Sequence, residues 1–260
     1  MQDIALICER MNSPHSSEAR LYALIPCAGA GSRAQTEQPK QYQRLLGVPM
    51  VIHTLRAFEA VPSLTQGVVV VAPQDTLMAD VLRTHPQLRF QVCNVGGVTR
   101  AHSVLAGLHS LAELGARTSD WVLVHDAARC LITPELIQSL ITACQNDTVG
   151  GLLALPLADT LKSEHNGRVA QTLERNHKWL AHTPQMFRLG DLMHALQQAH
   201  DSPQAHSITD EASAMELLGS QPKLVESSAQ NFKVTYPQDF ELAEAVLSTR
   251  HNKAMPSHKE

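Results

Sequence analysis

From Leu21 onward, short apolar runs alternate with stretches in which apolar residues recur every three or four positions. Leu21–Cys27, Gly67–Ala72, Phe90–Val95, Trp121–His125 and Gly151–Leu155 are short, rich in β-branched residues and nearly continuous in apolar character. Runs of that kind predict strands buried on both faces. Between them Met50–Ala60, Asp75–Arg83, Thr99–Leu114 and Pro134–Cys144 carry helical periodicity, and Thr133-Pro134 supplies an N-cap followed by proline at the first helical position. The β-α alternation predicts an α/β fold: a doubly wound, mostly parallel, Rossmann-like sheet covered by helices.

The rhythm changes after Pro156. Residues 157–187 lack a strong apolar face and contain Asn166-Gly167 between alternating residues, a hairpin signal. A hairpin this polar cannot stand alone in water, so it is expected to protrude and lean on something, such as another subunit. Helices follow at Leu189–His200 and Thr209–Leu218, then a strand at Asn231–Thr235 and a closing helix at Pro237–Ser248. The division expected is a flexible extension over 1–20, one domain over 21–248 with an arm at 157–180, and a flexible tail over 249–260.

Composition excludes more than it identifies. Of 260 residues, 43% are hydrophobic and 18% charged, as in ordinary globular proteins. Lys and Arg number 21 against 25 Asp and Glu, so the net charge of −4 gives no global case for nucleic acid or anionic membrane. No apolar run approaches the roughly 20 residues of a membrane span. The five scattered cysteines form no C-x-x-C pair, which fits a reduced, cytoplasmic setting. His194, His200 and His206 are evenly spaced, but steps of six turn about 600° around a helix and point to different faces. No metal-binding side chains are assigned.

The chemistry gathers in three clusters at expected strand ends. In Pro26–Lys40, Gly29 and Gly31 leave room for phosphate to approach backbone beside Ala28, although a glycine pair fits a ligand-free strand-to-helix turn equally well. A dinucleotide site wants an acidic residue about 20 positions on. Val48–Phe58 offers none, and the G-x-x-x-x-G-K-[ST] phosphate loop is absent. Arg33 and Lys40 instead place two cations behind the glycines, which suits phosphoryl or nucleotidyl transfer better than storage of an intact cofactor. In the second cluster, His125–Arg129, Asp126 can hold Mg²⁺ or a hydroxyl, Arg129 can grip phosphate, and small Ala127 admits a ligand. In isolation that cluster also reads as an Asp/Arg turn. The third, Gly96–Ser103, opens space for a flat base at Gly97, with Arg100 and Ser103 adjacent.

The chain then resembles a family. P-x-A-G-x-G-x-R…P-K-Q-Y (Pro26–Tyr42), G-G-x-x-R-x-x-S-V-x-A-G-L (Gly96–Leu108) and W-V-L-V-H-D-A-A-R (Trp121–Arg129) are similar to the signatures of 2-C-methyl-D-erythritol 4-phosphate cytidylyltransferases. So are Asp159-Thr160, E-R-N-x-x-W (Glu174–Trp179), T-P-Q-x-F (Thr183–Phe187), T-D-E-A-S (Thr209–Ser213) and N-F-K-V-T (Asn231–Thr235). The resemblance implies a Mg²⁺-assisted reaction of CTP with a sugar-alcohol phosphate, 2-C-methyl-D-erythritol 4-phosphate, releasing pyrophosphate in non-mevalonate isoprenoid biosynthesis. It implies catalytic roles for Arg33, Lys40 and Lys233, and nucleotide contacts from Ala28, Gly29, Gly31, Gly97, Arg100, Ser103 and Ala127. Asp126, Arg129, Thr183 and Thr209 match residues around the alcohol phosphate. The 157–180 arm corresponds to one exchanged in a homodimer, with Thr160 and Arg175 completing the neighbour's site.

Cys27, Ala34 and Cys130 depart from the family's usual Ala, Met and Pro; Cys27 and Cys130 are both expected near the nucleotide, and with them an unusual sensitivity to oxidation or thiol reagents. Ribitol-5-phosphate cytidylyltransferase and a non-catalytic nucleotide-binding module are the alternatives, with an NAD-linked dehydrogenase behind them.

Overall fold

The computed structural model describes residues 19–29, 38–202 and 208–254. Gly31, Arg33, Ala34 and His206 lie outside them. The strands are β1 (Leu21–Pro26), β2 (Arg44–Leu45), β3 (Val48–Pro49), β4 (Leu64–Val70), β5 (Phe90–Cys93), β6 (Trp121–Val124), β7 (Gly150–Pro156), β8 (Leu161–His165), β9 (Arg168–Leu173), β10 (Trp179–Arg188) and β11 (Lys223–Glu226). Seven of them form one sheet in the order β11-β7-β10-β6-β1-β4-β5. β1 pairs in parallel with β4 and β6, β4 with β5, and β7 with β11, while β10 runs antiparallel between β6 and β7.

Alternation along β1 explains the layers. Tyr22 and Leu24 point into one core with Val104 and Leu108 of the Arg100–Glu113 helix and Leu192 of the Leu189–Asp201 helix. Ala23 and Ile25 point into the other, with Ile52, Leu55 and Phe58 of the Met50–Glu59 helix and Ile137 and Leu140 of the Pro134–Cys144 helix. Both faces are covered, so the strand needs no polar side. Gly107 lets its helix lie close on the sheet: a Cβ there would stand 2.6 Å from Val70 Cγ2 and 2.9 Å from Leu24 Cδ1.

Several boundaries differ from expectation. β10 was hidden in the segment read as a polar arm, because His182 to Gln185 interrupt its apolar pattern. Trp179 and Leu180 already pair with Pro156 and Leu155 of the main sheet. Within the expected arm only β8 and β9 stand apart from the main sheet, as a two-stranded ribbon turning at Asn166 and Gly167, with φ of 51° and 74°. β11 was missed, being a four-residue strand on the sheet edge with exposed Lys223, Leu224 and Glu226. Asn231–Thr235, expected as a strand, joins no ladder; a backbone bond from the Val234 N–H to the Ala128 carbonyl at 2.8 Å helps tie it to the His125–Arg129 segment.

The ends are also better anchored than expected. The last helix runs Pro237–Ala254, past the expected start of a tail at 249, and Arg250 donates to the Leu131 carbonyl at 2.8 Å. Arg20 belongs to the fold as well. Its backbone N–H (3.0 Å), Nε (3.1 Å) and Nη2 (2.9 Å) donate to the fully buried Asp120 carboxylate. Arg117 adds bonds from its backbone N–H (2.8 Å) and Nη2 (2.7 Å). Burial opposes ionisation of Asp120, but these donors outweigh it and hold its pKa well below the ordinary carboxylate range.

Asp120→Ala is therefore expected to destabilise the protein by about 2 kcal/mol in chemical denaturation at pH 7, since charged donors lose a buried acceptor. Because the folded-state pKa is depressed, wild type holds this advantage above the unfolded-state value near ~4 and loses it as pH falls. The stability gap between wild type and variant should narrow in acid.

Candidate active site

The chain leaves β1 for β4 and β5 on one side, then returns to β6 on the other, so a crevice opens beyond the carboxyl ends of β1 and β6. A cleft of about 460 Å³ lies there. Its walls come from the three clusters found in the sequence: Ala28 and Gly29 after β1, Gly97 to Ser103 after β5, and Asp126 to Ala128 after β6, joined by Lys40 and Lys233.

The loop after β5 is shaped by what glycine permits. A Cβ on Gly96 would stand 2.3 Å from Ala28 Cβ and 2.7 Å from the Val71 carbonyl oxygen. Thr99 caps the following helix by accepting from the His102 N–H at 3.2 Å, and Ser103 Oγ accepts from the Gly97 N–H at 3.1 Å. Helix N–H groups and their positive dipole end therefore face the cleft. Lys40 opens a short 3-10 turn and donates to the Val234 carbonyl at 2.8 Å. Its neighbour Gln41 is buried and donates to the Cys27 carbonyl at 2.8 Å, fastening the glycine loop to the lysine segment.

The charged end of the cleft centres on Asp126. Arg100 Nε donates to Asp126 Oδ1 at 2.8 Å and Lys233 Nζ to Oδ2 at 2.7 Å. The two terminal nitrogens of Arg100 reach Glu211 at 2.6 and 3.1 Å. Burial works against charge on Asp126, yet Arg100 and Lys233 overcome it and keep the group ionised far below the usual range. The same carboxylates outweigh desolvation of Arg100 and raise its pKa.

Behind Asp126 a neutral network sets direction. His125 Nε2 lies 3.2 Å from the Arg129 carbonyl, an acceptor, so that nitrogen carries the proton. Nδ1 then accepts from Thr183 Oγ1 at 3.0 Å, and Thr183 Oγ1 accepts from the Asp126 N–H at 3.1 Å. Burial lowers the His125 pKa to about 3, so the ring stays neutral. Arg129 donates to the carbonyls of Asn231 (2.8 Å) and Ala181 (3.2 Å), while its buried Nε has no protein partner.

Of the expected site residues, Ala28, Gly29, Lys40, Gly97, Arg100, Ser103, Asp126, Ala127 and Lys233 all line this cleft. Thr183 and Arg129 stand immediately behind it through Asp126 and His125. Thr209 is exposed and outside it; Thr160 and Arg175 are exposed on the arm. Gly31 and Arg33 lie outside the described residues. Sequence reasoning gave no role to Gln41, His125 or Glu211. All three stand inside the quoted motifs, but nothing in their spacing tells which way their side chains point.

Fold and cleft together define a nucleotidyltransferase. The family model of 2-C-methyl-D-erythritol 4-phosphate cytidylyltransferase, IspD, matches residues 21–249. The 2-C-methyl-D-erythritol 4-phosphate cytidylyltransferase of Paraburkholderia phytofirmans is 53% identical over 234 residues, covering 88% of this chain and 97% of that protein. A bifunctional enzyme IspD/IspF of Albidiferax ferrireducens is 63% identical over 231 residues, covering 89% of this chain; the chain spans 54% of that longer relative. A crystal structure of 4-diphosphocytidyl-2C-methyl-D-erythritol synthase superposes with a TM-score of 0.78 at 39% identity, covering 89% of this chain and 100% of that one. The Francisella tularensis 2-C-methyl-D-erythritol 4-phosphate cytidylyltransferase gives 0.73 at 33%, covering 87% and 99%. The chain belongs to the 2-C-methyl-D-erythritol 4-phosphate cytidylyltransferase family, and its reaction class is cytidylyl transfer.

The expected thiol sensitivity meets a physical objection. Cys27 lines the cleft as expected but is only 4% exposed; Cys130, 2% exposed, sits in the small core formed with Leu131 and Val234 rather than on the cleft. Burial raises the Cys27 thiol above its ordinary value, with Asp75 and Asp126 adding to it, and pushes Cys130 up to about 12. Thiols held protonated are poor nucleophiles. Iodoacetamide at pH 8 is expected to leave native activity intact and to label both cysteines only after unfolding, as mass spectrometry of the two positions would read.

Proposed function

We propose that the cleft joins CTP to 2-C-methyl-D-erythritol 4-phosphate, giving 4-diphosphocytidyl-2-C-methyl-D-erythritol and pyrophosphate. The observation that carries this reading is the meeting of Lys40, Lys233, Asp126 and the Gly97–Ser103 helix start around one cleft at the sheet's switch point. The substrate's phosphate oxygen attacks the α-phosphorus of CTP in line, and the pyrophosphate leaves on the opposite side. Lys40, with Arg33 by its place in the sequence motif, faces the β- and γ-phosphates as charge develops on the leaving group. Lys233 faces the α-phosphate. Cations fixed in advance stabilise that charge without reorganising.

The cytosine sits against the Gly97–Ser103 turn and is read through backbone groups and Ser103. Asp126 accepts a hydroxyl of the alcohol, and Arg129, with its spare Nε–H, and Thr183 support the substrate end. Mg²⁺ fits as an ion carried by the triphosphate: among the described residues no cluster of three His, Cys, Asp or Glu is placed to hold one, and both Asp126 oxygens already have cationic partners. When bound it neutralises phosphate charge. The setting proposed is cytoplasmic; among the described residues no helix is long and apolar enough to cross a membrane.

The arm is assigned to a homodimer. Thr160 and Arg175 lie away from the cleft of their own chain, and Val169, Trp179 and Leu180 leave apolar surface uncovered. In the proposed dimer the arm lays Thr160 and Arg175 over the partner's alcohol-phosphate end.

Pyrophosphate release with CTP and Mg²⁺ should proceed with 2-C-methyl-D-erythritol 4-phosphate and not with ribitol 5-phosphate; the reverse would make this a ribitol-phosphate enzyme. In the same assay Lys40→Ala is expected to lower kcat by about 10²-fold or more with little change in the Kd for CTP. Equal losses in both would make Lys40 a plain phosphate anchor.

Arg175→Ala should inactivate without unfolding. Mixed with Lys40→Ala protein, it should regain part of its activity, because one heterodimer site would then be intact. No recovery after confirmed subunit exchange would place Arg175 in its own chain's site.

A further inference from the structure

Glu211 is an odd residue to find where it is. Its carboxylate is 1% exposed, at the first position of a seven-residue helix, Glu211–Leu217. It does not itself line the cleft and meets the cleft wall through Arg100. A buried carboxylate is costly unless it is paired and hydrogen-bonded. Here both of its oxygens are taken by the terminal nitrogens of Arg100, at 2.6 and 3.1 Å, in the fork-to-fork geometry of an ionised pair. The helix bearing it is held by a capping box between Asp210 and Ser213, and Gln185 fixes the helix start by donating to Asp210 Oδ2 (2.8 Å) and accepting from the Ala212 N–H (2.7 Å). The carboxylate is thus aimed from a rigid base.

The consequence falls on Asp126. With its terminal nitrogens occupied, Arg100 reaches Asp126 only through Nε, to Oδ1, and Oδ2 is left to Lys233. A guanidinium released from Glu211 would instead take Asp126 by its fork, gripping both oxygens and displacing Lys233. We propose that Glu211 is a positioning residue for the alcohol-phosphate half of the reaction: it holds the Arg100 fork away from Asp126, and so keeps one carboxylate face open to a substrate hydroxyl and Lys233 in register beside it. The same contact neutralises Arg100, so that the net positive charge facing the triphosphate stays with the lysines. The inference rests on the reading of Asp126 as the hydroxyl acceptor.

A support for the fold alone and a positioning role differ in how the two substrates respond. In pyrophosphate-release assays, Glu211→Gln is expected to raise KM for 2-C-methyl-D-erythritol 4-phosphate about tenfold, the size of a hydrogen bond to a charged group. KM for CTP should stay unchanged or fall, because the site gains positive charge. Arg100→Met/Glu211→Met removes the misdirected fork together with its tether, and should recover most of the KM lost in the single variant. If Glu211→Gln does not fold, Glu211→Asp, which keeps the charge and shortens the reach, carries the same KM comparison. Lower turnover with both KM values unchanged would mean that Glu211 only supports the fold, and a double variant as poor as the single would remove the misdirected fork from the account; either result overturns the proposal. Asp126→Asn is measured alongside. If it leaves KM for the alcohol phosphate unchanged, the reading of Asp126 fails and takes the proposal with it. If it raises that KM while Glu211→Gln does not, the tether alone is wrong.

Discussion

The carboxylate of Asp126 is the constraint around which the rest of the cleft is arranged. It sits at the carboxyl end of the central strand β6, almost out of water, where an unpaired charge would be prohibitive. Its two cationic partners come from distant parts of the chain: Arg100 from the helix after β5, and Lys233 from the extended segment before the last helix. Each demands structure of its own. Arg100 is placed by the Gly96-Gly97 turn and the Thr99 cap; Lys233 is placed by Asn231, whose buried side chain donates to the Thr183 carbonyl at 2.9 Å. One buried charge therefore fixes where three otherwise unrelated segments must meet.

Charge balance decides what that meeting can do. Asp126 and Glu211 offset Arg100 and Lys233, Arg129 adds a further buried cation, and the remaining field in the cleft comes from Lys40 and the helix N-terminus. His125 could have upset this balance. Burial keeps it uncharged through the pH range in which the enzyme would work, and its fixed tautomer orients Thr183 and the Arg129 backbone without adding charge. The pH response of this end of the site therefore belongs to the carboxylates. Asp126, depressed by its cations, adds stability above the unfolded carboxylate pKa and gives it up only as the solution becomes strongly acidic.

Local chemistry was legible in the sequence where it was self-contained. The Thr133-Pro134 start placed the Pro134–Cys144 helix to the residue, and Asn166-Gly167 located the ribbon turn because both residues adopt positive φ. The β-branched runs gave five of the seven sheet strands. What failed to show was whatever depended on distant partners. β10 carries polar His182 to Gln185 inward because they bond to Ser227, His125 and Asp210, none of them near in sequence. Asn231–Thr235 has the residues of a strand, but its carbonyls serve Arg129 and Lys40 instead of a ladder. The pairing of Arg100 with Glu211 spans 111 residues and leaves no periodic trace. The glycine loop showed its composition, while the burial that holds the Cys27 thiol protonated is something composition does not carry.

The arm follows from the same economy of burial. A two-stranded ribbon has too little apolar surface to pay for its own ordering, and β8 and β9 join no other strand. Yet the ribbon is continuous with β7 and β10, which are paired along the main sheet, so its base is held even though, among the described residues, its two strands pair only with each other. A structure fixed at its root and unsupported at its end is suited to reaching a second molecule. The candidate substrate contacts Thr160 and Arg175 lie near that root, outside the cleft that the central sheet builds. If the alcohol phosphate needs them, a lone chain can hold the nucleotide half of the reaction but lacks part of the other half. The sheet's switch point would then serve CTP from one subunit, and pairing of two subunits would complete the acceptor end.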